Sequence, residues 1–375
     1  MKVDIALRNG FVIDPETNRE LVTDICVKEG RIVDPGPVMK AEFEYDASGM
    51  FVLPGLIDYH LHVFPGSTEI GIPADISLLP QGVTTAVDAG SAGTANVSSF
   101  INQVVNRNSM RIKAFLNLCP AGLVTSRYHE NVDPRHWDRE AIGQLLESYP
   151  NFLKGLKIRI SRPIVQELGL TVLEEAVKFA EELGTRIAVH VTDPPASMDD
   201  VAGLLRQGDI LVHCFHGTGL NILNSQGKVS GGVLAARKRG VVMDAANGRN
   251  HWAFAVAEAA IKQGFEPDII STDLTARTLF RDPVFSLPYL MSKYLMMGMS
   301  MQKVVAACTA KPASLLGMRG LIGTLASGAF GDIGVFEMKD HVIAFSDTNG
   351  VVRTGQKILS PKLTVLNGKV VSRNW

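Results

Sequence analysis

Apolar and polar positions along the chain follow two different rhythms. Residues 1 to about 54 form short alternating runs, DIALRNG, FVIDP, DICVKEG, RIVD and FEYDASGMFVLP, cut by Gly, Pro and Asp, which reads as a small antiparallel sheet. From Gly55 to about Gly320 the pattern becomes apolar strand, polar tip, amphipathic helix, repeating at roughly 30-residue intervals, the period of βα units. After Gly320 the strand and hairpin rhythm returns in GDIGVFEM, HVIAFSD, VVRTGQKI and LTVLNGKVV. The two ends are therefore expected to form one composite β domain, residues 1–54 with 321–375, around an inserted body of residues 55–320.

Eight strands are expected in that body, ending near His62, Gly90, Cys119, Arg159, Val191, Phe215, Ala245 and Leu274. Helical stretches lie between them, such as TVLEEAVKFAEELG, with Thr171 as N-cap and Gly184 as stop, and HWAFAVAEAAIKQG, ending at Gly264. Eight even units predict an α/β fold, a closed (β/α)8 TIM barrel with a small composite β-sandwich. No Gly-x-Gly-x-x-Gly follows the first strand, which argues against a doubly wound open sheet.

Composition narrows the class. With 375 residues, 46 % apolar, 20 % charged and a net charge of −1, the chain can build a large core and lacks the basic excess a nucleic-acid binder needs. A small molecule is the expected partner, with no nucleic acid and no membrane, and a homo-oligomer is the expected assembly. The Met-rich run from Val284 to Met301 is interrupted by Ser286, Pro288, Ser292 and Lys293, so it reads as a buried helix rather than a membrane span. Scattered Cys26, Cys119, Cys214 and Cys308, and an N-terminus without a long apolar core, lead us to expect a reduced cytoplasmic protein.

The candidate chemistry lies at the strand tips. In a strand, residues two apart share a face, so His60 and His62 in FVLPGLIDYHLHVF can grip one metal ion together. Strand four offers Lys157, strand five His190, strand six His213 and strand eight Asp273, all at the rim where a barrel carries its reactive groups. Lys154 is the competitor of Lys157 but sits at the start of its strand. An ordinary lysine is a poor ligand at neutral pH, whereas its amine and CO2 give an anionic carbamate with two oxygens that can bridge two divalent ions. His216 falls beyond the strand carrying His213, and His251 is expected to open a helix, so neither is counted as a ligand. Cys214, next to His213, is expected to pack outward.

HLH after LPG, GLKIR, AVHV, LVHCF and STDL, together with SGAFGDIGVFE in the terminal segment, resemble the amidohydrolase superfamily of binuclear metal hydrolases across nearly the whole chain. GVTTAVDAGSAG, GLKIRISR, VHCFHG and ISTDL look like the group labelled dihydroorotase-like or deacetylase. The resemblance implies two divalent metal ions, zinc above all. His60, His62 and Asp273 would bind one, His190 and His213 the other, with a carbamate on Lys157 bridging and a bridging hydroxide attacking. It implies that Asp273 moves the proton, and that the reaction removes the acyl group of a small acetylated α-hydroxy or α-amino acid. Arg159 and Arg162 are candidates for a substrate carboxylate, and Ser91, Gly93, Asn247 and Gly248 lie on the same rim.

A ring-opening cyclic amidohydrolase is the alternative. Against it, Phe64 stands where dihydroorotases carry a substrate-binding arginine, and IRISRPI after Lys157 lacks the tyrosine of hydantoinases. Strand two ends in Asp88, Ala89 and Gly90, without the bridging cysteine of D-aminoacylases.

Overall fold

The computed structural model describes residues 2–36 and 40–374. Two sheets organise them. The first contains β1 (Lys2–Asp14), β2 (Arg19–Lys28), β3 (Arg31–Val33), β4 (Lys40–Asp46) and β5 (Phe51–Pro54) from the start of the chain. It is completed by β13 (Ile333–Ser346), β14 (Val352–Leu366) and β15 (Lys369–Arg373) from its end. Strand order is β15-β14-β13-β5-β1-β2-β3, with β4 paired to β1. The join is the antiparallel pairing of β13 with β5, from Ile333 opposite Pro54 to Phe336 opposite Phe51.

The second sheet is parallel and curled. It comprises β6 (Leu56–Leu61), β7 (Val83–Asp88), β8 (Arg111–Asn117), β9 (Leu153–Arg159), β10 (Ile187–His190), β11 (Ile210–Val212) and β12 (Val242–Asp244), neighbours in that order. Both faces are covered, by helices outside and packed side chains inside, so β6 and β7 are buried at every position. Gly55 is the only residue between β5 and β6. A Cβ there would lie 2.3 Å from Thr84 Oγ1, so the chain passes between the sheets through a point that admits only hydrogen. Arg111 of β8 reaches across to Asp332 and Asn367 beside the terminal strands.

The eighth unit differs from expectation. DIISTDL forms no regular strand, yet it bridges both edges of the parallel sheet, with Leu274 opposite Leu61 and Ile269 opposite Asp244. Its backbone is satisfied in part by side chains: the Asp58 carboxylate accepts from the Thr272 N–H (3.0 Å) and hydroxyl (2.5 Å). Asp273 then turns left-handed, at φ 52°, which ends any extended run. Strand six stops early for the same reason, at Val212, because His213 has φ 66°.

Helix starts also shift. Thr171 is the first residue of helix Thr171–Glu182 rather than its cap, its hydroxyl donating to the Leu168 carbonyl. The next stretch begins its helix at Phe254, not at His251. Gly184 and Gly264 do end their helices in left-handed backbone. No helix among the described residues is long and apolar enough to cross a membrane; the Met-rich run is the buried helix Leu287–Met296. All four cysteines are buried and unpaired.

Candidate metal centre

Each parallel strand ends at the same rim, and that geometry brings together side chains up to 213 positions apart. His60, His62, Lys157, His190, His213 and Asp273 are all buried, between 1 and 7 % exposed. His62 Nε2 lies 3.2 Å from Asp273 Oδ1, and His60 Nε2 lies 3.8 Å from the same oxygen. Lys157 Nζ is 3.4 Å from His60 Nε2, and His213 Nε2 is 2.8 Å from His190 Nδ1. The Lys157 stem fits because residue 90 is glycine: a Cβ there would lie 2.7 Å from Lys157 Cβ and Cγ.

Two donor clusters result, each with its ligand atoms within 4.8 Å of one another: His60, His62 and Asp273, and His190, His213 and His251. The donors fit a divalent metal of the zinc class, which takes imidazole and carboxylate together. Burial holds His60, His190 and His213 well below the usual histidine range, so these rings are neutral and keep a lone pair. His213 Nδ1 donates to the Ala246 carbonyl at 2.6 Å; that carbonyl can only accept, so Nε2 is the bare nitrogen. Burial also pushes the Lys157 amine down to about 8, against the pull of Asp273 and Asp244.

Behind the donors stands a layer that aims them. Asp244 Oδ2 is 3.3 Å from His60 Nδ1, while its Oδ1 accepts from the Ser271 hydroxyl (2.5 Å) and the Ala246 N–H (3.1 Å). Ser91 Oγ is 2.8 Å from His62 Nδ1, and Asp88 fixes Ser91 by accepting its N–H at 2.7 Å. Such contacts set ring orientation and tautomer in metal sites. His251 Nδ1 is held the same way, 2.9 Å from Thr192 Oγ1.

Not every expected residue faces the cavity of about 200 Å³ that opens over these donors. Arg159 does, with Nη1 bonded to Glu130 at 3.1 Å. Arg162 does not: it turns to Asp193 (3.6 Å) and the Pro194 carbonyl (3.4 Å), with its side chain 59 % exposed. Ser91, expected beside the substrate, sits behind His62. Lys154 bonds the Pro150 carbonyl and lines a separate hollow at the start of its strand, while Cys214 lies in the apolar core.

Other residues at the cavity escaped the sequence reading. His251, set aside as a helix opener, lies in the loop after β12 with its ring 4.4 Å from that of His213. Arg249 and Asn250 of that loop and Arg277 after Asp273 also line the wall. Asp244 alone carried a signal, as the carboxylate at the tip of a predicted strand. Nothing in the spacing of the loop residues marks their direction.

The family model described as the amidohydrolase family matches residues 51–371. A deacetylase from Agrobacterium fabrum is 35 % identical over 358 residues, covering 93 % of this chain and 87 % of that protein. Among solved structures, one described as an adenine deaminase superposes with a TM-score of 0.90 at 26 % identity, covering 99 % of this chain and 100 % of the other. Another, described as a dihydroorotase, gives 0.87 at 32 % identity over 98 % and 97 %.

Proposed function

Since this chain belongs to the amidohydrolase family and is a hydrolase, we propose that it removes the acetyl or similar acyl group of a small carboxylate-bearing α-hydroxy or α-amino acid. The observation that carries this reading is the meeting of the six donors and Arg159 in one small cavity. Similarity to deacetylases over nearly the full chain supports it.

His60, His62 and Asp273 would hold one divalent cation and His190 and His213 a second, with Lys157, as its carbamate, supplying the anionic oxygens shared by the two sets. When bound, such ions polarise a carbonyl and lower the pKa of water from about 15.7 to roughly 7. The Lys157 amine, depressed to about 8, presents a neutral nitrogen at pH 7 some two orders of magnitude more often than an ordinary lysine. That is the form that adds to CO2, releasing one proton. Asp273 takes the proton of the attacking water and returns it to the leaving alkoxide or amine. Arg159, on the cavity wall, is the donor for the substrate carboxylate, and Glu130 balances its charge. The same reading makes the parallel sheet and the bridging eighth segment a closed (β/α)8 barrel of residues 55–320. The terminal sheet, 1–54 with 321–375, is then its composite β-sandwich.

Ring opening is the second reading, favoured by the likeness to a dihydroorotase. It is weakened by Phe64, fully buried with its ring 4.8 Å from Phe100, which gives a substrate carboxylate nothing at that position. Hydrolysis of N- and O-acetylated hydroxy and amino acids, measured beside dihydroorotate and hydantoins with zinc-loaded protein, separates the two. Deacetylation should dominate; ring opening without deacetylation would overturn the proposal.

A further inference from the structure

The loop after β12, residues 245–253, carries Arg249, Asn250 and His251 on the cavity wall and then enters helix Phe254–Lys262. Its upstream half belongs to the barrel rim, where the N–H groups of Asn247 and Gly248 donate to the carbonyls of Ser271 and Thr272. Its downstream half is gripped from elsewhere. Thr348, in the turn between β13 and β14, accepts from the Trp252 N–H through its hydroxyl and donates its own N–H to the Trp252 carbonyl, both at 3.2 Å.

Asp347 completes the grip. The residue at the N-cap of the helix is Ala253, which has no side chain to cap with. The Asp347 carboxylate supplies that function across 93 positions, accepting from the Phe254 N–H at 2.9 Å with Oδ2. Its Oδ1 accepts from the N–H groups of Asn349 and Val351, so the turn is itself locked.

The tryptophan side chain is held by another element, helix Leu287–Met296. Its Nε1 donates to Tyr294 Oη at 2.9 Å, and Tyr294 Oη donates to Asn247 Oδ1 at 3.2 Å, returning to the start of the loop. Lys293 Nζ lies 3.8 Å from the centre of the indole and donates to the Ser346 carbonyl. The far end of the loop is thus tied to the β13–β14 turn through its backbone and to helix Leu287–Met296 through the indole, with Lys293 linking that helix to Ser346.

We propose that Asp347 and Thr348 are positioning residues of the cavity, the terminal sheet reaching over the barrel rim to fix where Arg249, Asn250 and His251 stand. Neither touches the cavity itself. They act through Trp252 and the helix start, one residue beyond the histidine whose Nε2 lies 4.0 Å from Asp273 Oδ2. Without them this end of the loop keeps the indole contact to Tyr294, the Ala253 N–H bond to the Phe215 carbonyl and the His251 bond to Thr192, but the Trp252 backbone and the helix start lose their partners and the loop gains freedom about Gly248, whose backbone is already left-handed.

The kinetic part of the test rests on the proposed deacetylation; the structural part does not. Thr348→Val removes one acceptor at nearly constant volume, with Thr348→Ser as its conservative control and Asp347→Ala as a second route. In the full-length zinc-loaded protein, the ring Cε1–Hε1 resonance of His251, assigned with His251→Asn, should move in Thr348→Val and Asp347→Ala and return in Thr348→Ser. Amide exchange at Trp252 and Phe254 should accelerate about five- to tenfold, the loss of one hydrogen bond. KM for an acetylated acid should rise by a similar factor, with kcat changing by less than about twofold and metal content unchanged. An unmoved resonance with wild-type KM, or failure of the serine variant to restore both, would overturn the proposal. Wild-type protein inactive on every acetylated acid would refute the deacetylase reading alone, and resonance and exchange would still decide this one.

Discussion

Asp273 is the residue on which the proposed chemistry converges, and its backbone records the demand. Its φ of 52° is uncommon for a side chain with a Cβ and turns the carboxylate over the cavity instead of along the strand. Gly248 makes the space, since a Cβ there would lie 2.4 Å from Asp273 Oδ2. Asp273→Asn preserves shape while removing the basic oxygen. We expect an unchanged melting temperature, largely retained metal and a loss of at least about 100-fold in kcat; wild-type turnover in that variant would exclude the assignment. At this scale the sequence was informative for residues fixed to strands. His60, Lys157 and His190 could be placed because strand periodicity says which way each points, whereas His62 and His213 lie one residue past their strands and reach the same rim, His213 through left-handed backbone. Ser91 and Arg162 could not be placed, because they follow strand ends, where one dihedral decides whether a side chain faces the cavity, backs a ligand or turns to Asp193.

Among the elements, the strand tips and their loops show where pattern stops being predictive. The seven regular parallel strands follow from their apolar runs. The eighth does not, because the Asp58 side chain takes the place of ladder partners for Thr272. His251 was misread since HWAFAVAEAA has helical composition, while the helix waits for a cap that comes from Asp347, on a distant strand connection no local pattern reveals.

The helix Leu287–Met296 carries its own test. Lys293 is buried, and burial pushes its amine down to about 7, with Asp347 and Asp282 pulling the other way. An unfolded lysine stays protonated to about 10.4, so between pH 7 and that value the unfolded chain binds more protons and stability from this group rises with pH. Against Lys293→Met, the wild-type unfolding free energy should therefore climb between pH 7 and 10, with a slope approaching about 1.4 kcal/mol per pH unit. Parallel curves from urea denaturation of the two proteins would contradict that burial effect.

For the molecule as a whole, a net charge of −1 conceals an uneven arrangement. Arg159, Arg249 and Arg277 surround a cavity whose wall includes only Ile70 and Leu123 as apolar side chains. An anionic substrate of a few carbons suits such a surface better than a bulky apolar one. That strands from both chain ends share one sheet was readable, because strand rhythm gives way to βα rhythm in the middle of the chain and returns near its end. The contact between Thr348 and Trp252 was not, being made by backbone groups that every residue carries. Beneath all of this lies the proposed pairing of two metal ions across Lys157, which metal analysis of purified protein from zinc-supplemented cells addresses most directly. Wild-type protein should contain two zinc-class ions per chain, and Lys157→Ala one or none, with recovery on adding a short-chain carboxylate. Wild-type protein without such metal, or a Lys157→Ala variant that retains both ions unaided, would contradict it.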